Sequence, residues 1–111
     1  YLQMVREVLG CQCIRHSRIA SEEVSRVAIC TGAGASMIPL AQRAGADLYI
    51  TADLKYNDFM APEGGLTVAD VGHFESEYCA IEILFDILSK KLCTFALLKS
   101  DATRNPINYL F

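Results

Sequence analysis

The sequence predicts an α/β domain with a mixed or mostly parallel sheet flanked by helices. Three observations carry this. Short β-branched, apolar runs alternate with segments of helical spacing. The connections between them are short and rich in glycine. The chain of 111 residues is 52% hydrophobic and 21% charged, against an average charged share of about 25%, so a core is readily built and disorder is excluded.

Leu2 to Leu9 reads as a short helix closed by Gly10. Cys11 to His16 reads as a short strand, and Ser17 to Ser25 as a polar connection. Val24 to Cys30 (VSRVAIC) is a strand, followed by the glycine-rich turn Thr31-Gly32-Ala33-Gly34-Ala35-Ser36. A helix over Met37 to Ala44 stops at Gly45. Asp47 to Thr51 is the next strand. Lys55 to Met60 is a short helix broken by Pro62 and Gly64-Gly65, and Leu66 to Val71 is a third regular strand. Glu75 to Leu92 carries the strongest helical pattern, with Ile81, Leu84, Phe85, Leu88 and Leu92 on one apolar face. Lys90 and Lys91 in its last turn complement the helix dipole. Thr94 to Leu98 reads as a last strand, and Asn105 to Phe111 as an apolar tail.

Composition excludes several classes of function. A net charge of −3 and a pI near 5.3 give no basic footprint for duplex nucleic acid. No run reaches the ~18 apolar residues of a membrane span, and the first residues lack a signal-peptide pattern. Five cysteines with no C-x-x-C argue against a disulfide framework and for a reducing cytoplasm. A mean hydropathy of +0.25 gives one small domain more apolar surface than it can enclose. The surplus is expected to face another lobe or another subunit. The chain opens on Tyr1 rather than Met and reads as a piece of something longer.

Three loops follow a strand and lead into a helix: 31–36, 52–58 and 72–77. If the strands are parallel neighbours, all three lie at their carboxyl edge, where such folds bind ligands. Gly32, Gly34 and Ser36 offer backbone N–H groups and a hydroxyl to an anion. No Gly-Lys-Ser/Thr follows, so this is not a P-loop. It matches a dinucleotide fingerprint only in part, because Met37 stands at the third glycine, although Asp53 sits where a ribose-binding acid belongs. The alternative is a compact turn without ligand.

His73 and Glu77 are four residues apart, so on a helix they share a face. An imidazole and a carboxylate suit Zn, Mn, Fe or Ni. The helix start keeps Glu77 ionised. Two donors do not complete a site, and a surface His beside a dipole-complementing Glu is the plain alternative. Asp53, Lys55 and Tyr56, with Asn57 and Asp58, can supply acid–base groups or form a solvated connection. Cys11, Cys13 and His16 have zinc-binding chemistry, but strand alternation separates the thiols from the imidazole. These cysteines, with Cys30 and Cys79, are read as small core residues.

Together the segments VSRVAICTGAGASMIPLAQRAGADLYITADLKYNDF, VGHFESE and NPINYL, in this order, resemble the C-terminal part of the YbgI-like proteins. These are also called the Ngg-one-interacting-factor-three-like family, with members often labelled GTP cyclohydrolase type 2 homologues. The resemblance implies that residues 1–111 are one α/β lobe of a two-lobe fold with two divalent metal ions in the cleft between the lobes. It gives His73 and Glu77 as ligands. The other donors, a paired His and an Asp, are expected from an N-terminal lobe that these residues do not include. It further implies a ring-shaped homo-hexamer and hydrolase-like chemistry on a phosphate-bearing or ring substrate. Asp53, Lys55 and Tyr56 would line that cleft, and Gly32, Gly34 and Ser36 would contact an anion. Many relatives carry Gly at the position of Ala52 and His at the position of Asn57, and Asn57 cannot transfer a proton. A non-enzymatic scaffold and a nucleotide-binding fragment are the alternative functions.

Overall fold

The computed structural model describes residues 1–60 and 65–111. Helix α1 (Leu2–Leu9) ends as expected at Gly10, which takes the left-handed conformation (φ 67). The Gly10 N–H then returns to the Glu7 carbonyl and the Cys11 N–H to that of Arg6. The remaining elements are β1 (Arg15–His16), β2 (Val27–Ala33), α2 (Ile38–Arg43), β3 (Leu48–Ala52), β4 (Thr67–Asp70), α3 (His73–Glu77) and α4 (Cys79–Lys91). Short 3₁₀ turns at Ala35–Met37 and Tyr56–Phe59 follow β2 and β3.

The sheet order is β1-β4-β3-β2. Strands β2, β3 and β4 run parallel, and β1 pairs antiparallel with β4. The sheet is therefore mixed, as predicted. Strand β3 is at its centre, with Ile50 opposite Ile29 on one side and Ala69 on the other. Alternation along β3 builds two cores. Leu48 and Ile50 join Val5, Cys11, Ala69 and Val71. Tyr49 joins Ala41, Ala46, Leu54, Leu66 and Val68 on the opposite face. Both faces of the central strands are covered, so β3 and β4 are buried throughout, their polar Thr51, Thr67 and Asp70 included.

Several boundaries differ from the sequence pattern. The strand expected over 11–16 is reduced to Arg15–His16, the two residues that find partners on β4. The strand expected to end at Cys30 continues to Ala33, and its register slips between Ile29 and Ala33, where Gly32 has φ 63. The long helix begins at His73 and divides at Tyr78 into α3 and α4. The break expected at Pro62 and Gly64 lies outside the described residues. Thr94 to Leu98 is not a strand: the run pairs with none of the described strands, and Phe95 and Leu98 are exposed. The apolar stripe of α4 is present but buries no residue, and Leu84, Leu88 and Leu92 remain exposed. Cys79 is exposed rather than in the core, while Cys30 is half-buried against the α2-side cluster. No described helix is long and apolar enough to cross a membrane.

Candidate metal centre

Because β2, β3 and β4 are parallel, the loops that follow them emerge at one edge. A single buried carboxylate braces two of these loops. Asp70, 5% exposed at the end of β4, accepts the Leu54 N–H at 2.9 Å and the Gly72 N–H at 3.0 Å. Arg15 pairs with the same carboxylate, donates to the Leu54 carbonyl at 3.1 Å and lies 5.4 Å over the Phe59 ring. Charged hydrogen bonds of this kind are stronger than neutral ones. They fix the residue after Asp53 to the residue before His73.

Gly72, with φ 91, turns the chain so that His73 is the first residue of α3. The His73 Nδ1–H donates to Asp53 Oδ2 at 2.6 Å, and Nε2 stands 3.2 Å from Glu77 Oε2. All three side chains are about half exposed. The hydrogen bond to Asp53 raises the His73 pKa above its ordinary 6.5; partial burial opposes this, and the charge of Glu77 adds to it. With one proton on Nδ1, a neutral imidazole turns the lone pair of Nε2 toward a carboxylate oxygen. Two acceptors face each other there, and a cation between them, a proton or a metal ion, relieves the repulsion.

The glycine-rich loop shapes this pocket sterically. A Cβ built on Gly32 would collide with Glu77 Oε1 and crowd His73 Nε2 at 3.2 Å. Its polar groups are engaged within the protein. The Gly32 N–H donates to Ser76 Oγ at 2.9 Å, and its carbonyl accepts from Thr51 Oγ1 at 3.1 Å. Ser76 Oγ in turn donates to the His73 carbonyl at 2.9 Å. Gly34 lies against Thr51 and accepts from the buried Tyr49 hydroxyl at 2.8 Å. Burial raises the pKa of that hydroxyl, and Thr51 acts in the opposite direction.

The structure thus brings Gly32, Asp53, His73 and Glu77 together. Ser36, Lys55 and Tyr56 are exposed and line neither hollow beside His73. Around Lys55, Asp58 closes the turn: its carboxylate accepts the Lys55 N–H at 2.7 Å while its own N–H donates to the Lys55 carbonyl at 2.9 Å. Among the described residues no group of three or more His, Cys, Asp or Glu side chains is arranged to hold a metal ion. Cys11 instead donates to the Val71 carbonyl at 3.2 Å with its pKa raised by burial, and His16 donates to the Ser17 carbonyl at 2.7 Å.

The C-terminal tail completes the surroundings. A hollow of about 170 Å³ includes Cys13, Arg15, Asp53, His73, Ile107 and Tyr109 in its walls. A shallower one of about 340 Å³ lies against His73, Phe74, Glu77, Tyr78 and Ile107. Asn105 anchors the tail by donating to Glu75 Oε1 at 2.9 Å, and Glu75 Oε2 is buried without a partner among the described residues. No local pattern announces this anchor, since Asn105 and Glu75 are 30 residues apart. Asp70 was equally silent, although an acid ending an apolar strand was a usable hint.

Residues 1–106 match the family model described as Duf34/NIF3 (NGG1p interacting factor 3). The chain belongs to this family. A NIF3-family relative from Streptococcus pneumoniae, described as a GTP cyclohydrolase 1 type 2 homolog, is 32% identical over 119 aligned positions. That alignment spans 97% of this chain and 44% of the relative. A Campylobacter jejuni protein of the same description is 35% identical over 74 positions, 66% of this chain and 30% of its own length. Among solved structures, the Staphylococcus aureus protein SA1388 superposes with a TM-score of 0.82 at 24% identity, over 96% of this chain and 37% of that one. That likeness shows the fold. Protein ybgI aligns with a TM-score of 0.71 at 32% identity, over 79% of this chain and 36% of that one. The resemblance drawn from the glycine turn, the ADLYITADLKY segment and GHFESE is thereby borne out, and the chain spans less than half the length of these NIF3 relatives.

Proposed function

We propose that this chain contributes part of a dinuclear metal site, with His73 Nε2 and the Glu77 carboxylate as donors. One observation carries the reading: Nε2 and Oε2 face each other at 3.2 Å in a space that a Cβ at position 32 would fill. An imidazole and a carboxylate suit Zn, Mn, Fe or Ni. Two donors are fewer than any of these ions takes, so the remaining donors come from a second lobe bearing a paired His and an Asp. The chemistry that two divalent ions supply when bound is Lewis-acid activation of water and neutralisation of charge on a phosphate or ring substrate. In this reading Lys55 and Tyr56, outside both hollows, reach substrate from the exposed loop after β3. The Gly32 N–H, held by Ser76, is not a donor to an anion. Five free thiols suit a cytoplasmic setting.

The test is metal content. Zinc and manganese bound to this chain are compared with those bound to a two-lobe protein containing it. We expect substoichiometric metal in the short chain, two ions per two-lobe chain, and loss on His73→Ala or Glu77→Ala. Stoichiometric metal in the short chain would sink the shared site. Unchanged content in the two variants would remove these residues from it.

A second reading, a non-enzymatic assembly module, is favoured by the exposed face of α4. Ile83, Leu84 and Ile87 are 56%, 57% and 46% exposed, which suits contact with another lobe or with copies in a homo-oligomeric ring. In the two-lobe protein, His73→Ala that dissolves the assembly favours this role. Loss of metal with the assembly intact favours the functional centre.

A further inference from the structure

We infer that Asp53 is a positioning residue for His73: its carboxylate takes the Nδ1–H and thereby leaves the Nε2 lone pair facing Glu77. The inference rests on the reading of His73 as a metal donor. Its ground is geometric. The neutral imidazole has one N–H, and the partner of one ring nitrogen decides which nitrogen is left as the donor. An unassisted histidine in water favours the proton on Nε2, which would block that atom. The contact to Asp53 Oδ2 at 2.6 Å, shorter than the 3.2 Å from Nε2 to Glu77 Oε2, favours the opposite tautomer.

The backbone is built to hold this contact. Asp53 has φ 56 and is the only non-glycine residue with positive φ among the described residues. Such a conformation costs free energy and persists only where its surroundings enforce it. Here they do. Ala52 is 0% exposed and Leu54 3% exposed, so buried residues flank Asp53 on both sides. The Leu54 N–H is held by Asp70 Oδ2, and the other oxygen of Asp70 holds the Gly72 N–H beside His73. Both partners of the Asp53–His73 contact therefore hang from one carboxylate.

The two ring nitrogens of His73 point away from each other. With Asp53 on Nδ1 and Glu77 on Nε2, the carboxylates bracket the ring. Asp53 is thus placed to orient His73, not to join Glu77 around an ion held by Nε2. The pair contributes only a little to stability, since both side chains are nearly half exposed.

The test is the tautomer of His73, read by ¹⁵N NMR of the imidazole in this chain without metal, at a pH where the ring is neutral. The wild type is expected to carry its proton on Nδ1. Asp53→Gly accepts the left-handed backbone but has no acceptor, so the proton should move to Nε2. Asp53→Asn accepts the same backbone and keeps an acceptor oxygen, so the Nδ1–H form should persist. Zinc titrated against the His73 ring signals should bind the Gly variant at least about tenfold more weakly, and the Asn variant close to wild type. An Nδ1–H tautomer retained in Asp53→Gly overturns the inference. So does an Asn variant as impaired as the Gly variant. Zinc affinity indifferent to His73→Ala would instead remove the metal-donor reading, and the metal-free tautomer measurement would still decide the role of Asp53.

Discussion

Gly32 abuts the carboxylate of Glu77 so closely that any side chain at position 32 would strike Oε1. Two penalties coincide there, because Gly32 also has φ 63, a conformation that costs a residue with a Cβ roughly 1–2 kcal/mol. The carboxylate is half exposed at the end of a flexible side chain, so it can swing away at little cost in stability. Gly32→Ala should therefore destabilise the chain by about 1–2 kcal/mol in urea unfolding and weaken zinc binding much more visibly. Gly10→Ala is the control. It shares a left-handed φ of 67 but meets nothing within 4 Å, so it should lose similar stability and leave zinc binding intact. Equal zinc binding in all three proteins would refute the steric role.

Protonation of His73 should be readable directly. Its hydrogen bond to Asp53, reinforced by Glu77, favours the imidazolium in the folded state. That contribution to stability is whole below the unfolded pKa of about 6.5 and is lost as pH rises through the higher folded value. A metal ion at Nε2 competes with the same proton. Apparent zinc affinity should thus fall as pH drops through the folded pKa, with one proton displaced from His73 per ion. The chain has two histidines, which simplifies a ¹H titration. His73 should titrate above 6.5 and shift down in Asp53→Ala. A His73 titrating at or below 6.5 would contradict the Asp53 contact.

Removal of Asp70 should be the most damaging single change near the site. Asp70→Ala strands the Leu54 and Gly72 N–H groups and leaves Arg15 without its ion pair. Each orphaned buried group costs about 1–3 kcal/mol, so the two together are expected to cost about 2–6 kcal/mol. Arg15→Met should cost less, because Asp70 keeps the two backbone N–H groups that hold its carboxylate and the Arg15 side chain is 60% exposed. Chemical unfolding of the two variants separates the cases. Equal losses would mean that Asp70 serves only as the partner of Arg15.

Asn105 should govern the order of the tail. Its amide donates to Glu75, and its oxygen accepts the Ile107 N–H at 3.0 Å. Asn105→Ala breaks both links and leaves neither oxygen of Glu75 with this partner. A loss of about 1 kcal/mol is expected, together with faster hydrogen exchange over residues 105–109. Unchanged exchange would show that the tail is held by its apolar side chains alone.

The parts of the fold legible in the sequence were those with a local cause. Gly10 announced the end of α1, and the apolar runs around Tyr49 and Val68 announced strands buried on two faces. The loops carrying Gly32, Asp53 and His73 were located because a parallel sheet gathers its carboxyl ends. What stayed hidden depends on pairing at a distance. Thr94 to Leu98 has a strand's composition, but it pairs with none of the described strands, and composition does not show whether a partner lies beside a segment. The contacts of Gly32 and Asp53 were hidden for a similar reason. A glycine after a strand suggests a ligand cradle, yet here Gly32 clears space for a side chain 45 positions on. Asp53 suggests a substrate contact, yet its carboxylate is on His73. Neither fact is visible until the fold brings position 73 beside them.

Helix α3 is barely more than one turn, yet each of its polar side chains has a separate assignment. His73 and Glu77 face each other, Ser76 holds Gly32, and Glu75 takes the tail. Successive positions on a helix are rotated by about 100°. Inserting or deleting one residue between 73 and 77 would reassign these directions at once, even if the same residue types were kept. In this stretch spacing matters more than any one side chain: a substitution removes the contacts of one residue, whereas a frame-preserving indel dissolves the whole arrangement.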